Sequence, residues 1–337
     1  MQDFASAAMV RLLVRALHPH GLAPPPGLDA WRDGPQGSHV PLACKRAVVQ
    51  AILQHGGPAM LLRLAGRVDL LQGDPVHRAL IGAADMPALL ARWQRLERYV
   101  HSRHQVSVLD LGPRHMALRH HARAGIPEPP QPTESLAVLG VLLGTGRILG
   151  VQGLSVEWTG AGTLRWQADT PAGFDADSAL TASLAQPMAN GSAGNWTLRW
   201  HATRQSPSLA MPHRPGFQQA TSGLCDALPW PALAHQLARH VLHDPAAPHT
   251  VDALARHAGL ARRSLQRALS GSGLSCRSIV TEARARAAAQ WLLQGHHGLA
   301  EIGFACGFAD QPHFTREFAR HVGLTPARYR QAFTGAA

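Results

Sequence analysis

The sequence predicts an α+β region followed by an all-α region in which two helix-turn-helix units are joined by a long helix. Three observations carry this expectation. Residues up to about 205 mix helical spacing with period-two alternation, the last hundred residues contain an internal repeat, and the same stretch concentrates positive charge.

A chain of 337 residues suits two or three domains at roughly 100 to 200 residues each. Its 32 Gly and 25 Pro stay below the level of a disordered chain. The apolar run Ser135 to Gly146 has twelve uncharged residues, short of the roughly 20 that cross a bilayer as a helix. Arg11 and Arg15 interrupt the run Met9 to Leu17, unlike a secretory signal, so a cytoplasmic protein without a membrane span is expected. Cys44, Cys225, Cys276 and Cys306 lie far apart with no CxxC pair, which suits reduced thiols.

In residues 1–205, Met9 to Leu17, Arg46 to Gln54 and Met86 to Tyr99 have helical spacing; Leu89, Trp93, Leu96 and Val100 mark one face of the third. Val106 to Leu111 reads as a buried strand. Leu154, Val156 and Trp158 alternate with polar residues, and after Thr159 to Gly162 so do Leu164, Trp166 and Ala168, which predicts a hairpin. Trp196, Leu198 and Trp200 repeat the alternation. Residues 206–230, with Pro207, Pro212, Pro215 and Pro229, read as a linker.

Residues 231–337 are helical and repetitive. Val251, Leu254, Ala255, Ala258, Gly259 and Leu260 recur 48 residues later as Leu299, Ile302, Gly303, Cys306, Gly307 and Phe308. Leu265, Arg267 and Leu269 recur 49 residues later as Phe314, Arg316 and Phe318. Each copy, about 250–270 and 298–321, reads as a short helix, a glycine turn and a second helix. Ile279 to Leu293 reads as the connecting helix, long enough to set two second helices in successive major grooves about 34 Å apart.

The formal charge is +11, and Lys45 is the only lysine among 32 basic residues. GC-rich coding accounts for some arginine excess; a polyanion partner accounts for it where it is concentrated. Residues 231–337 carry twelve arginines against six acids. Arg262, Arg263, Ser264, Gln266 and Arg267 surround the apolar anchors of the first unit, with Arg263, Gln266 and Arg267 on one face. Gln311, His313, Thr315, Arg316 and Arg320 surround those of the second. Arg can hold guanine O6 and N7, and Gln adenine N6 and N7, with two bonds each. Double-stranded DNA is the partner this pattern suits.

The run Ala300-Glu301-Ile302-Gly303-Phe304-Ala305-Cys306-Gly307-Phe308-Ala309-Asp310-Gln311-Pro312-His313-Phe314-Thr315-Arg316-Glu317-Phe318, followed by Gly323-Leu324-Thr325-Pro326-Ala327-Arg328-Tyr329-Arg330, resembles the signature of AraC/XylS-type transcription regulators. Residues 1–205 resemble, less specifically, the helix-rich regulatory domain of the ornithine- and virulence-regulator branch, in segments such as Leu89 to Tyr99; they do not resemble the all-β sugar-binding domain, because the first hundred residues carry helical spacing. The resemblance implies a nucleoid-associated, effector-responsive activator with promoter DNA, RNA polymerase, a small organic effector and a second copy of the chain as partners. Ala261 and Pro312 depart from it, at a helix cap and at a common polar contact position.

Other sites compete for attention. His101, His104, His115, His120 and His121 lack a Cys or carboxylate at ligand spacing, so no metal and no cofactor is expected. Trp158, Trp166, Trp196 and Trp200 could line an effector pocket, with Glu157 facing a cationic group; core packing and a solvated sheet face are the competing readings. A methyl-accepting Cys44, as in DNA-repair members of the family, lacks a second nearby Cys, and no GxSxG or GxxxxGK[ST] motif occurs. A repair or amidase-like enzyme, or a protein-interaction module, is the alternative to a non-enzymatic regulator.

Overall fold

The computed structural model describes residues 4–33, 39–100, 103–158, 163–165, 178–189, 191–203, 223–294 and 297–334. The chain divides into two compact units, Met1–Ser208 and Leu209–Ala337.

The first unit is α+β. Strand β1 (Phe4–Ser6) leads into α1 (Ala7–Leu17), where the Ser6 hydroxyl accepts from Met9 N–H. All of α1 except Arg15 is buried, including Arg11, which pairs with buried Asp74 at 2.5 Å. That is how a charge interrupts an apolar helix without facing water. Next come α2 (Ala30–Asp33), β2 (His39–Pro41), antiparallel to β1, and α3 (Leu42–Ala65), which kinks at Gly56 and Gly57 just before Pro58. Helix α4 (Pro75–Ile81) is capped by the same Asp74, and α5 (Met86–Val100) buries Leu89, Trp93 and Leu96 as their spacing predicts.

Strands β3 (His104–Gly112) and β4 (His115–Ala122) precede α6 (Pro132–Ile148). They are followed by β5 (Val151–Gln152), β6 (Ser155–Trp158), β7 (Thr163–Arg165), α7 (Ser178–Ala189), β8 (Asn195–Arg199) and β9 (Ala202–Thr203). An antiparallel sheet of order β3-β4-β8-β6-β7 forms the body, and β5 pairs with β9. The β6–β7 hairpin sets Val156 opposite Leu164; Trp166, Ala168 and Thr159–Gly162 lie outside the described residues.

The buried strand expected at Val106 to Leu111 is corrected. Only Val106 is buried there, and Leu109 is 62% exposed. Strand β3 is the sheet edge, and a register shift between Val108 and Asp110 breaks the alternation of faces. The long apolar run instead forms α6, buried from Glu134 to Gly146 on every side, as a helix apolar all round must be. Gly140 and Gly144 let it approach α3: a Cβ there would lie 2.5 Å from Leu62 O or 2.0 Å from Gly66 O. No helix among the described residues is long and apolar enough to cross a membrane.

The second unit holds α8 (Ala232–His243), α9 (Val251–His257), α10 (Arg262–Ser270), α11 (Cys276–Leu293), α12 (Leu299–Ala305), α13 (Gln311–Val322) and α14 (Pro326–Thr334). Helix α11 packs against α8, α12, α13 and α14. Ile279, Ala283, Ala287, Ala288 and Leu292 lie in its buried face, within one apolar cluster that reaches both copies of the repeat. Of the expected linker 206–230, residues 206–222 are outside the described set, while Cys225 is buried in this cluster and Leu224 and Trp230 pack against it. All four cysteines are free.

One carboxylate joins helix and sheet in the first unit. Buried Glu97 on α5 accepts from Trp93 Nε1 at 2.7 Å and from Val106 N–H at 3.0 Å. Burial pushes its carboxyl up to about 7, against the pull of these hydrogen bonds and of Arg123. Because the folded value lies above the unfolded 4.5, its stabilising contribution is full below pH 4.5 and is lost as pH rises through about 7. Glu97→Gln should therefore remove about 1 to 3 kcal/mol of the stability lost between pH 4 and 8. Denaturant titrations at the two pH values check this, and an unchanged difference in the variant refutes it.

Candidate nucleic-acid interface

The two repeat copies build the same turn. In the first, Thr250 Oγ1 accepts from Ala253 N–H to start α9, the chain turns at Gly259 with φ +66°, and α10 begins after Ala261. In the second, α12 ends before Gly307 with φ +81°, and Asp310 accepts from His313 N–H at 2.7 Å to start α13. Positive φ is cheap only for glycine, which explains the glycine in both copies. The second turn is also crowded: a Cβ on Gly307 would lie 2.1 Å from Pro245 O, the carbonyl to which Arg284 Nε donates. Ala261 offers no side-chain cap, as its replacement of a hydroxyl residue suggested, and Pro312 fits the first turn of α13.

Each second helix is anchored by two fully buried side chains four residues apart, Leu265 and Leu269 in α10, Phe314 and Phe318 in α13. The bulkier pair is accommodated by Gly303, which replaces Ala255 of the first copy; a Cβ on Gly303 would come within 2.9 Å of the Phe314 ring.

Opposite these anchors the polar side chains differ in how free they are. Arg263, Gln266 and Arg267 are exposed, and no side-chain hydrogen bond or ion pair engages them among the described residues. Arg263 and Arg267, four apart, repel each other weakly, which an anion placed between them would relieve. Arg262 is exposed but lies 3.6 Å from Asp252 on α9, and Ser264 is half-buried. In the second copy Gln311 and Arg316 are exposed with uncommitted side chains. Arg320 pairs with Glu317, and the Thr315 hydroxyl donates back to Gln311 O at 3.0 Å. His313 Nδ1 accepts from Ala309 N–H at 3.1 Å and its ring meets Phe308 edge-on, so only Nε2 can face outward.

Counting arginines missed those that hold the unit together. Arg284 donates to Pro245 O and Ala247 O, Arg286 to Glu282 and Leu224 O, and Arg330 to His297 O. A signal was present for the first two: both interrupt the alanine-rich stretch of α11, where a long side chain must reach around its neighbours.

The other candidate positions lie in the first unit. Trp158 and Trp196 are a buried cross-strand pair, and Trp196 Nε1 donates to Ala193 O at 2.7 Å. Trp200 is buried, Trp166 is outside the described residues, and Glu157 pairs with Arg199 at 3.1 Å. Of the histidines, His120 bonds Ser135 and stacks near Trp196, His121 bonds Ser107, and His115 bonds Asp110. His101 lies outside the described residues, and among those described no three His, Cys, Asp or Glu side chains gather to hold a metal ion.

If Gly303 exists to admit Phe314, Gly303→Ala should destabilise the protein by about 1 to 3 kcal/mol through overpacking. Adding Phe314→Leu, which recreates the pairing of the first copy, should recover part of that loss. Chemical denaturation of the two single variants and the double variant tests the coupling; strictly additive effects would disprove it.

The helix-turn-helix domain family matches residues 254–332. The transcriptional regulator VirS of Mycobacterium tuberculosis is 33% identical over 94 residues, 28% of this chain and 27% of its own length. The transcriptional activator NphR of Rhodococcus sp. is 32% identical over 90 residues, 27% of this chain and 26% of its own. The ornithine utilization regulator of Pseudomonas aeruginosa is 36% identical over 78 residues, 23% of each chain. The chain thus spans about a quarter of the length of the curated relatives it matches. The solved transcriptional regulator CdpR of Pseudomonas aeruginosa aligns with 96% of this chain and 98% of its own at 16% identity, with a TM-score of 0.31. With the duplicated turn, the buried anchors and these relatives together, residues 254–332 are a helix-turn-helix domain of the AraC/XylS type.

Proposed function

We propose that the protein is an effector-responsive transcription regulator whose α10 and α13 enter successive major grooves of promoter DNA. One observation supports this most: both second helices bury their apolar side completely and leave guanidinium and amide groups uncommitted on the other. In this reading Arg263, Gln266 and Arg267 contact base edges. Arg262, Ser264, His313 and Thr315 line the approach, and Gln311, Arg316 and Arg320 add contacts from the second unit. Arg262 and Arg320 exchange their carboxylate partners, Asp252 and Glu317, for phosphate, a small loss because the cationic ends of both pairs are exposed. The first copy has more uncommitted donors and dominates specificity.

The first unit, in the same proposal, senses a small organic molecule and self-associates, and the DNA-bound chain contacts RNA polymerase. The name of NphR, a transcriptional activator, supports activation, and that of the ornithine utilization regulator supports regulation tied to a metabolite. Nothing in the described residues favours the repair reading: Cys44 is half-buried in the first turn of α3, and its only sequence neighbour of note is Lys45.

The test is a titration of the full chain against a duplex it selects from a randomised pool. Arg263→Ala and Arg267→Ala should each weaken binding by about 1 to 3 kcal/mol. Log affinity should also fall steeply with log salt as counterions are released. Unchanged affinity in both variants removes α10 as a base reader, and a flat salt response favours a protein-binding module.

A further inference from the structure

Lys45, the only lysine of an arginine-rich chain, lies in the first turn of α3 and is 5% exposed. An ammonium taken out of water is costly unless paired. The opposing charge for Lys45 is Glu134, and Lys45 Nζ is not one of the side-chain atoms sealed from water without a partner among the described residues. Burial pulls its pKa down, against the opposing charge of Glu134.

Glu134, in the first turn of α6, is 2% exposed. Its Oε2 accepts from Gln131 N–H at 3.1 Å and lies 3.6 Å from His104 Nδ1. Its Oε1 has no hydrogen-bond partner, and the nearest cation there, Arg46 Nε, stands 3.8 Å away. A buried carboxylate oxygen left in this state lacks a donor.

Both groups line one open cleft of about 790 Å³, between the first turns of α3 and the start of α6, with Leu42, Val49 and Leu53 as apolar wall. Small-molecule sites typically measure about 300–1,000 Å³. The N-terminus of α3 opens here too, and its cap, Pro41, supplies no side-chain acceptor, so N–H groups of its first turn are available to an anion. By contrast, the apolar cavity beside His77, lined by Leu12, Trp93 and Val141, has about 30 Å³, far below the size of a typical small-molecule site.

We propose that this cleft is the effector site and that its ligand is a small amino acid. Its carboxylate would meet Lys45, Arg46 and the first turn of α3, and its ammonium would donate to Glu134 Oε1. A simple carboxylic acid leaves the glutamate oxygen without a donor, and a simple amine leaves the lysine without an acceptor. A zwitterion satisfies both and adds no net charge to a buried site. The identification as an effector rests on the regulator reading above; the binding chemistry does not.

The experiment uses the full chain and the twenty standard L-amino acids as probes, by thermal shift and then calorimetry. At least one should raise Tm, and its deaminated and decarboxylated analogues should bind at least tenfold more weakly. Lys45→Met and Glu134→Gln should each cost at least tenfold. Arg46→Ala, at a position 42% exposed, should cost severalfold and carries the test if a buried-site variant does not fold by circular dichroism. The proposal is overturned if no amino acid binds, if a singly charged analogue binds as tightly as the amino acid, or if all folded variants keep wild-type affinity. The same preparations are titrated with the selected duplex: intact DNA binding without amino-acid binding sinks this site alone, whereas amino-acid binding without DNA binding sinks the regulator reading alone.

Discussion

Two buried side chains on each second helix set the orientation of everything proposed for the second unit. An α-helix turns by about 100° per residue, so burying Leu265 with Leu269, or Phe314 with Phe318, leaves only one side to face water. Rotating α10 by a single residue would drive Gln266 or an arginine into the cluster around α11, at several kcal/mol for a charge without a partner. Outward display of Arg263 and Arg267 is therefore a consequence of apolar packing; no polar contact holds them out. The glycine turns at Gly259 and Gly307 serve the same end, because they let the second helix fold back with its anchors toward the first.

The two copies reach this geometry with different materials. The first uses leucines over Ala255, the second phenylalanines over Gly303, and volume gained on one helix is removed from the other. The aromatic version continues from Phe318 to Tyr329 on α14, with ring centroids 5.5 Å apart. The second copy is thereby stitched to the last helix, while the helices of the first copy, α9 and α10, pack chiefly on each other. Its polar face is correspondingly more occupied by internal bonds, through His313, Thr315 and the Arg320–Glu317 pair.

In the first unit the decisive contact is between two helix backbones. Gly140 and Gly144 bring α6 against the end of α3, and α6 is then buried all round. Charges buried elsewhere in this unit need partners inside it. Arg11 resolves the problem by pairing with Asp74, and Glu97 by accepting from Trp93 and Val106. Glu134 Oε1 has no such donor among the described residues, and Lys45 has the charge of Glu134 set against its burial.

The repeat, the alternation around Trp158 and Trp196, and the face of α5 could all be read in order from the residues, because each depends on periodicity within one element. Periodicity could not say that β3 is an edge strand with a register shift, since edge position is set by which strands pair and not by what one strand contains. Nor could it separate Arg263 and Arg267, uncommitted, from Arg284 and Arg286, which bind carbonyl groups 39 and 62 residues away in the chain. Local pattern determined the duplicated helix-turn-helix and the anchors that bury its apolar side. Tertiary structure alone decided which charges are free and which buried groups lack a partner, because hydrogen bonding across long sequence separations is a property of the folded arrangement.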